Sequence, residues 1–163
     1  MRSFNWASTA VVAVFAAVLS AGPVAAADVA QPAAAAVGTS SAVAAIVEPA
    51  IAWHVPPTFC SGGWTFRDRW GHTGTFKCGS YVMEVNWDNR NRIEYFGIAP
   101  NRTIWHSWAT SGWAVMPHNG LADDTNGAWN TYGGARTVRV YVNNSGYWCA
   151  EDRGTGWGGW WRC

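Results

Sequence analysis

The number and spacing of the tryptophans constrain this chain more than any other feature. Twelve of its 13 tryptophans fall in the 111 residues from Trp53 to Cys163. They recur at separations of 41 to 44 residues in three series: Trp64, Trp105 and Trp148; Trp70, Trp113 and Trp157; Trp87 and Trp129. Because periods of about 20 to 50 residues are typical of stacked supersecondary units, the spacing predicts a tandem repeat. So many tryptophans indicate either core packing or recognition through flat aromatic faces.

The N-terminal residues have the pattern of an export signal. Arg2 supplies a positive end, residues 10–19 are uninterruptedly apolar, and small alanines precede Asp28. The apolar run is shorter than the roughly 20 residues that a membrane helix needs, and no second such run follows. We therefore expect residues 1–27 to be a signal peptide and the mature protein to be secreted, without a membrane span.

Residues 28–52 differ in composition from the rest of the chain. Ten of these 25 residues are alanine, and none is aromatic. Such a segment cannot build a core of its own. It is either a flexible or cleaved pro-segment or an arm that folds on a partner, because residues 43–47 are too apolar for a solvated linker.

Residues 53–163 have the pattern of a single antiparallel β domain. Apolar residues alternate or run for a few positions between glycine- and asparagine-rich breaks, which is typical of short strands and tight turns. The predicted strands are 63–69, 81–87, 92–98, 103–108, 114–116, 137–142 and 146–151, with hairpin turns at 100–102 and 143–146. We expect an all-β, disulfide-stapled fold of about two and a half tryptophan-rich hairpin repeats.

All four cysteines, Cys60, Cys78, Cys149 and Cys163, lie in the exported part. An even number in a secreted chain predicts two disulfides, and three pairings are possible. We favour Cys60 with Cys78 and Cys149 with Cys163, because both bonds close short loops at the ends of the repeat array. No Cys-x-x-Cys pair is present, so the sequence predicts no zinc site. Asp123, Asp124 and Asn126 lack the spaced acidic pattern of a calcium loop, so we expect no metal and no cofactor.

Charge and titratable groups narrow the classes of function. Ten basic and eight acidic residues follow Trp53, a balance too even to attract nucleic acid or an anionic membrane. The candidate catalytic groups are three histidines, two glutamates and an aspartate pair, namely His72, His106, His118, Glu84, Glu94 and Asp123-Asp124. The aspartate pair lies in a turn-rich stretch, where a solvated loop is expected. With no nucleophile elbow or metalloprotease helix, we expect a protein without enzymatic activity.

One segment resembles a repeat of the tectonin-like propeller lectins, a family that includes bacterial fucose-binding proteins. The resemblance rests on Arg92-Ile93-Glu94-Tyr95-Phe96, then Ile104-Trp105-His106-Ser107-Trp108 and finally Gly112-Trp113. Residues 138–148 with Gly156-Trp157 repeat the pattern more weakly. The resemblance implies carbohydrate binding between adjacent blades. A closed propeller needs about four or more blades, so we expect the local hairpin to be shared, with a propeller only as an oligomeric alternative.

The residues also indicate sugar binding independently of that resemblance. A sugar ring is recognised by a flat aromatic face beside fixed polar groups, and two clusters offer that mixture. The predicted ligand-binding residues are Asn101, Arg102, Trp105, His106, Trp108 and Trp113 in one cluster and Trp157, Trp160 and Trp161 in the other. Because Trp105 and His106 are adjacent in a strand, they face opposite sides, so about half of these rings belong to the core. Flanking glycines favour exposure of Trp157, Trp160 and Trp161.

Two functions of different classes follow. The first is a secreted module that recognises glycan through exposed tryptophans. The second is an adaptor that binds another secreted protein through the alanine-rich arm and a tryptophan- and arginine-rich surface, since these residues dominate interface hot spots. In size, export signal and apolar arm, the chain resembles the small adaptor subunits of umbrella-shaped toxin particles secreted by filamentous bacteria.

Overall fold

A computed structural model describes residues 46–88 and 92–163. The predicted signal peptide, residues 28–45 of the predicted arm and residues 89–91 lie outside the described residues. The strands are β1 (Ala50–His54), β2 (Trp64–Arg67), β3 (Thr73–Phe76), β4 (Val82–Asn86), β5 (Ile93–Ile98), β6 (Ile104–Ser107), β7 (Ala114–Val115), β8 (Asp124–Asn130), β9 (Arg136–Val142), β10 (Gly146–Asp152) and β11 (Trp161–Arg162). The described part contains one short 3-10 turn, Pro117–Asn119, and no helix long and apolar enough to span a membrane.

The strands form three sheets, and every pairing is antiparallel. A five-stranded sheet has the order β1-β4-β5-β6-β7, a four-stranded sheet has the order β11-β10-β9-β8, and β2 and β3 form a two-stranded ribbon. The predicted all-β antiparallel fold is therefore confirmed.

Two apolar cores hold the sheets together. The main core lies between the five-stranded and four-stranded sheets and includes Met83, Trp87, Phe96, Ile104, Val138 and Val140. The second core joins the ribbon to the five-stranded sheet and is built on Trp64, Phe76, Val82 and Tyr95. Since the five-stranded sheet carries a core on each face, it is the middle layer. All six residues of its central strand β5 are buried.

Alternation along β5 and β6 decides which core each side chain joins. Tyr95 enters the second core, whereas Phe96 and Ile98 enter the main core. Gly97 faces the ribbon, where a Cβ would lie only 2.4 Å from the Phe76 ring. The missing side chain therefore lets a ribbon phenylalanine pack directly on the backbone of the middle layer.

The seven predicted strands are present, but four others were not predicted. β1 begins at Ala50, so three residues assigned to the arm belong to the sheet and the predicted boundary at Trp53 is too late. The physical reason is Ile51, which packs against the main core. β8 includes Asn126-Gly127, a typical turn signal, which the strand accommodates with a register shift between Thr125 and Gly127.

Both predicted disulfides are confirmed. Cys60 is bonded to Cys78 and Cys149 to Cys163, which leaves no free cysteine in the described chain. The first bond ties the segment before the ribbon to the loop after it, and the second ties β10 to the C-terminal residue. Each bond thus closes a short loop of chain.

Tryptophans related by the repeat spacing do not occupy equivalent positions. Trp87 is fully buried in the main core, whereas Trp129 lies half-buried on β8. Trp64 belongs to the second core, but Trp148 packs against the main core. The regular spacing therefore does not correspond to identical hairpins in the fold, and the predicted number of repeats is not confirmed.

Candidate functional site

Packing uses several tryptophans of the predicted ligand-binding set. Trp157 is only 8% exposed, so its predicted exposure is wrong: its ring fills the main core and its Nε1 donates to Glu94 Oε1 at 3.1 Å. Trp105 and Trp113 are half-buried against the second core. Their Nε1 atoms donate to Thr103 Oγ1 at 2.8 Å and to the His72 carbonyl at 3.3 Å.

The other members of the set are dispersed. Asn101 Oδ1 accepts bonds from the amide and the hydroxyl of Thr103 and so organises the turn between β5 and β6. Arg102, at a φ of 71° in the same turn, pairs with Asp123 at 2.9 Å. Trp160 is half-buried against the main core, whereas Trp161 is 42% exposed on β11. These residues do not form one site.

His106 and Trp108 do lie together, in a cleft that we call the His106 cleft. Its volume is about 390 Å³. It is lined by Arg92, Ile93, Glu94, His106, Trp108, Pro117, Arg136, Asp152, Gly156 and Trp157. The Trp108 ring, 36% exposed, lies 4.8 Å from the imidazole of His106. As the alternation along β6 predicted, His106 faces the main core while Trp105 faces the second.

A buried carboxylate fixes the floor of this cleft. Glu94 is 4% exposed and accepts four hydrogen bonds. On Oε1 the donors are His106 Nδ1 at 2.7 Å and Trp157 Nε1, and on Oε2 they are Trp87 Nε1 at 3.1 Å and Arg136 Nη1 at 2.9 Å. With both oxygens fully occupied, Glu94 orients its neighbours and is not free to act as a general acid or base.

Arg136 extends this network to the four-stranded sheet. Its guanidinium also donates to Asp152, and lies 5.3 Å from the Trp87 ring and 5.5 Å from the Trp157 ring. Burial alone would raise the pKa of Asp152, but bonds from Arg136 and from the amides of Gly154 and Gly156 lower it below its usual value. The network therefore links the two sheets through charged hydrogen bonds.

His106 offers one ring nitrogen to the cleft. His106 contacts Glu94 through Nδ1 at 2.7 Å, so Nε2 is the ring nitrogen that this contact leaves for a ligand. A fixed imidazole beside an exposed indole face suits a ring with hydroxyl edges and an apolar face. The two carboxylates of the cleft are already bonded, so no free acid stands opposite a free base.

A second cluster contains the side chains of a hydrolase triad without its geometry. Asp68 Oδ2 accepts from Ser107 Oγ at 2.6 Å and contacts His72 Nδ1 at 2.9 Å. In a triad the histidine bonds the carboxylate with one nitrogen and activates the serine with the other. Here one carboxylate oxygen holds both groups, and Ser107 is fully buried. Asp68 Oδ1 also accepts the amides of Trp70 and His72, so the cluster closes the turn between β2 and β3.

The predicted solvated loop at Asp123-Asp124 is wrong for Asp123. This side chain is 8% exposed and binds Arg102, Lys77 and the Asn143 amide. Burial acts to raise its pKa, but the Asn143 amide and the two cations lower it overall. Asp124 opens β8 and accepts the Tyr81 amide. No three histidine, cysteine or acidic side chains in the described part of the chain group as a metal site would require.

A feature that the sequence analysis missed is the run of exposed apolar side chains at residues 46–59, the N-terminal apolar segment. Five of the 12 large apolar side chains exposed among the described residues fall within these 14 residues: Ile46, Val47, Trp53, Val55 and Phe59. Phe59 is 94% exposed and Val55 68%. The signal was visible in the sequence as aromatic and aliphatic residues around Pro56-Pro57, outside any predicted strand.

The N-terminal apolar segment also contains an open sheet edge. Among the described strands, β1 has a neighbour on one side only, β4, with Trp53 opposite Met83. Trp53 makes an edge contact with Tyr81 at 5.9 Å, and both rings remain more than one-third exposed. An edge strand offers unpaired N–H and C=O groups to another chain.

No protein-family model matches the chain, and comparisons with curated proteins and with solved structures gave no match.

Proposed function

We propose that the protein is a secreted, non-enzymatic module that binds another protein through its N-terminal apolar segment, as an adaptor does. The observation that carries this proposal is the concentration of exposed apolar side chains in residues 46–59, next to an unpaired sheet edge. Large exposed apolar groups cost solvation free energy unless a partner covers them. Two disulfides are typical of proteins that leave the reducing cytosol.

The geometry favours a protein over a glycan at this segment. Phe59, Val55, Ile46 and Val47 are apolar without hydrogen-bonding ends, whereas a sugar site needs polar groups around its aromatic ring. An edge strand followed by apolar side chains instead suits addition of a partner's strand, in which main-chain bonds provide affinity and pockets provide specificity.

The test is affinity purification of the tagged protein from the culture supernatant of its source. The variant V55S/F59S removes two side chains that no described core contains, so the thermal midpoint is expected to stay unchanged. Leu121→Ser is the matched control, since Leu121 is also exposed, at 52%, outside the segment. We expect a polypeptide to co-purify in stoichiometric amount with the wild type and the control, and to be lost with V55S/F59S. Retention with V55S/F59S would contradict the proposal.

Glycan binding in the His106 cleft is a second candidate, favoured by the exposed face of Trp108 beside the fixed imidazole of His106. Its test is retention on glycan beads. We expect Trp108→Ala to abolish retention and Trp161→Ala, a similarly exposed ring on β11, to leave it unchanged. Equal behaviour of the two variants would remove the cleft from consideration.

A further inference from the structure

β9 carries two arginines three residues apart, and each is held between two aromatic rings. Arg136 lies between Trp87 and Trp157 at the main core. Arg139 lies over Trp129 at 5.6 Å and over Tyr147 at 4.9 Å. Because the two positions have opposite parity on a strand, Arg139 belongs to the other face of the four-stranded sheet. There it forms, with Trp129, Tyr141 and Tyr147, what we call the Arg139 surface.

The geometry of the Arg139 surface fixes the arginine in place. Trp129 stands on β8, Tyr147 on β10 and Arg139 on β9 between them. Gly127, directly opposite Arg139 in the register, has no side chain, and a Cβ there would lie 3.9 Å from Arg139 Nη2. Tyr141 supports Tyr147 with a ring contact at 5.6 Å. The guanidinium is therefore held by neighbours on both adjacent strands.

The two arginines differ in their counter-charges. Arg136 donates to Glu94 and to Asp152. No carboxylate of the described residues pairs with Arg139, and its Nε is buried without a hydrogen-bond partner. A guanidinium partly withdrawn from water without an anion is energetically unfavourable. At Arg136, which lies between two rings in the same way, carboxylates supply the missing anion.

We propose that Arg139 receives an acidic side chain from a protein partner, so that the Arg139 surface is a second protein-binding surface. Arginine, tryptophan and tyrosine are the residues most enriched at interface hot spots, and here they stand together on a sheet face. The carboxylate of an aspartate or glutamate can accept hydrogen bonds from the edge of the guanidinium, while the two rings hold the guanidinium plane in position. With both this surface and the N-terminal apolar segment, the chain could join two proteins. This bridging role rests on the proposed function.

Sugars and nucleic acids fit the surface less well than an acidic side chain. Stacking on a sugar needs a free ring face, but Arg139 covers one face of Tyr147 and Tyr141 packs against the same ring. Nucleic acid needs several cations along its phosphates. Among the described residues the surface has one unpaired cation, and the nearby Glu151 of β10 is paired with Arg153. A single acidic side chain on a folded or extended protein segment matches this charge.

The test uses a phage-displayed random peptide library selected on immobilised wild-type protein and counter-selected on Arg139→Gln. We expect the enriched peptides to share an aspartate or glutamate beside apolar residues. A synthetic peptide of that sequence should bind the wild type and lose about 30-fold in affinity with Arg139→Gln. Arg139→Lys, which keeps the charge without the planar fork, should lose part of the affinity.

Arg153→Gln is the matched control, because Arg153 is an exposed arginine at the end of the same sheet and is already paired. Its peptide affinity should equal that of the wild type. Peptides without acidic residues, or equal losses with Arg139→Gln and Arg153→Gln, would overturn the proposal. A glycan array gives a further contradicting outcome. If the protein binds uronate polysaccharide through Arg139 and does not bind the peptide, the surface is a sugar site. V55S/F59S should bind the peptide normally even if the N-terminal apolar segment binds no partner.

Discussion

Replacing Glu94 with glutamine tests the buried network that joins the two large sheets. The substitution keeps the volume of the side chain but turns one accepting oxygen into a donating NH₂ group. In the least costly orientation this NH₂ faces His106, which can accept by changing tautomer. Trp157 Nε1, which donates to the same oxygen, is then left without an acceptor. Arg136 meanwhile loses one of its two counter-charges.

These losses set the expected magnitude. A buried donor without an acceptor costs about 1 to 3 kcal/mol, and replacing a charged hydrogen bond by a neutral one at Arg136 costs about 1 kcal/mol. We therefore expect Glu94→Gln to lower the free energy of unfolding by about 2 to 4 kcal/mol, measured by urea denaturation with both disulfides intact.

Glu84→Gln is the matched control. Glu84 contacts His54 at 3.1 Å, and both side chains are partly exposed. Glu84 also accepts from the Tyr95 hydroxyl, which the glutamine oxygen can still do, so the loss should stay below about 1 kcal/mol. If Glu94→Gln is as mild as Glu84→Gln, the four hydrogen bonds do not hold the sheets together and the reasoning fails.

Three further outcomes can be measured with standard methods. Replacing Cys149 and Cys163 with serine should lower the free energy of unfolding by about 3 kcal/mol, the usual effect of a bond that closes a short loop. The pKa of Asp152 is lower in the folded state than in the unfolded state, where it is about 4. Its contribution to stability is therefore present above the unfolded pKa and is lost as the pH falls through the folded pKa. Asp152→Asn should flatten the acid side of a profile of stability against pH. Deleting residues 1–45 should leave the thermal midpoint unchanged. Deleting residues 1–52 should lower the midpoint, because Ile51 packs against the main core. Equal midpoints for the two deletions would show that β1 adds nothing to the stability of the fold.

Local signals made the disulfides and the hairpins predictable. Each cysteine pair is close in sequence, and the turn between β9 and β10 carries Asn144 and Gly146 at positive φ, where these residues are favoured. β1 was missed because its alanines have no strand signature; its place is set by pairing with β4 and by the packing of Ile51 against the main core. β8 was missed because a bulge accommodates its turn-like Asn126-Gly127.

The candidate site was less predictable than the fold, because burial depends on contacts between distant residues. Flanking glycines favoured exposure of Trp157, but its ring lies in the main core and bonds Glu94, 63 residues away in sequence. His106 and Trp108 are two residues apart at the end of β6, so strand alternation partly explains why they share one cleft. Arg136 and Asp152 of the same cleft come from the distant strands β9 and β10. Proximity of this kind is decided by sheet packing and leaves no local pattern.

Hydrogen–deuterium exchange of the chain alone and with its co-purified partner tests the central claim most directly. If the N-terminal apolar segment is the docking site, amides of residues 46–59 and of the β1 edge should become protected in the complex, while amides around Trp108 and His106 stay unchanged. Protection confined to the His106 cleft, or none in residues 46–59, would contradict the account.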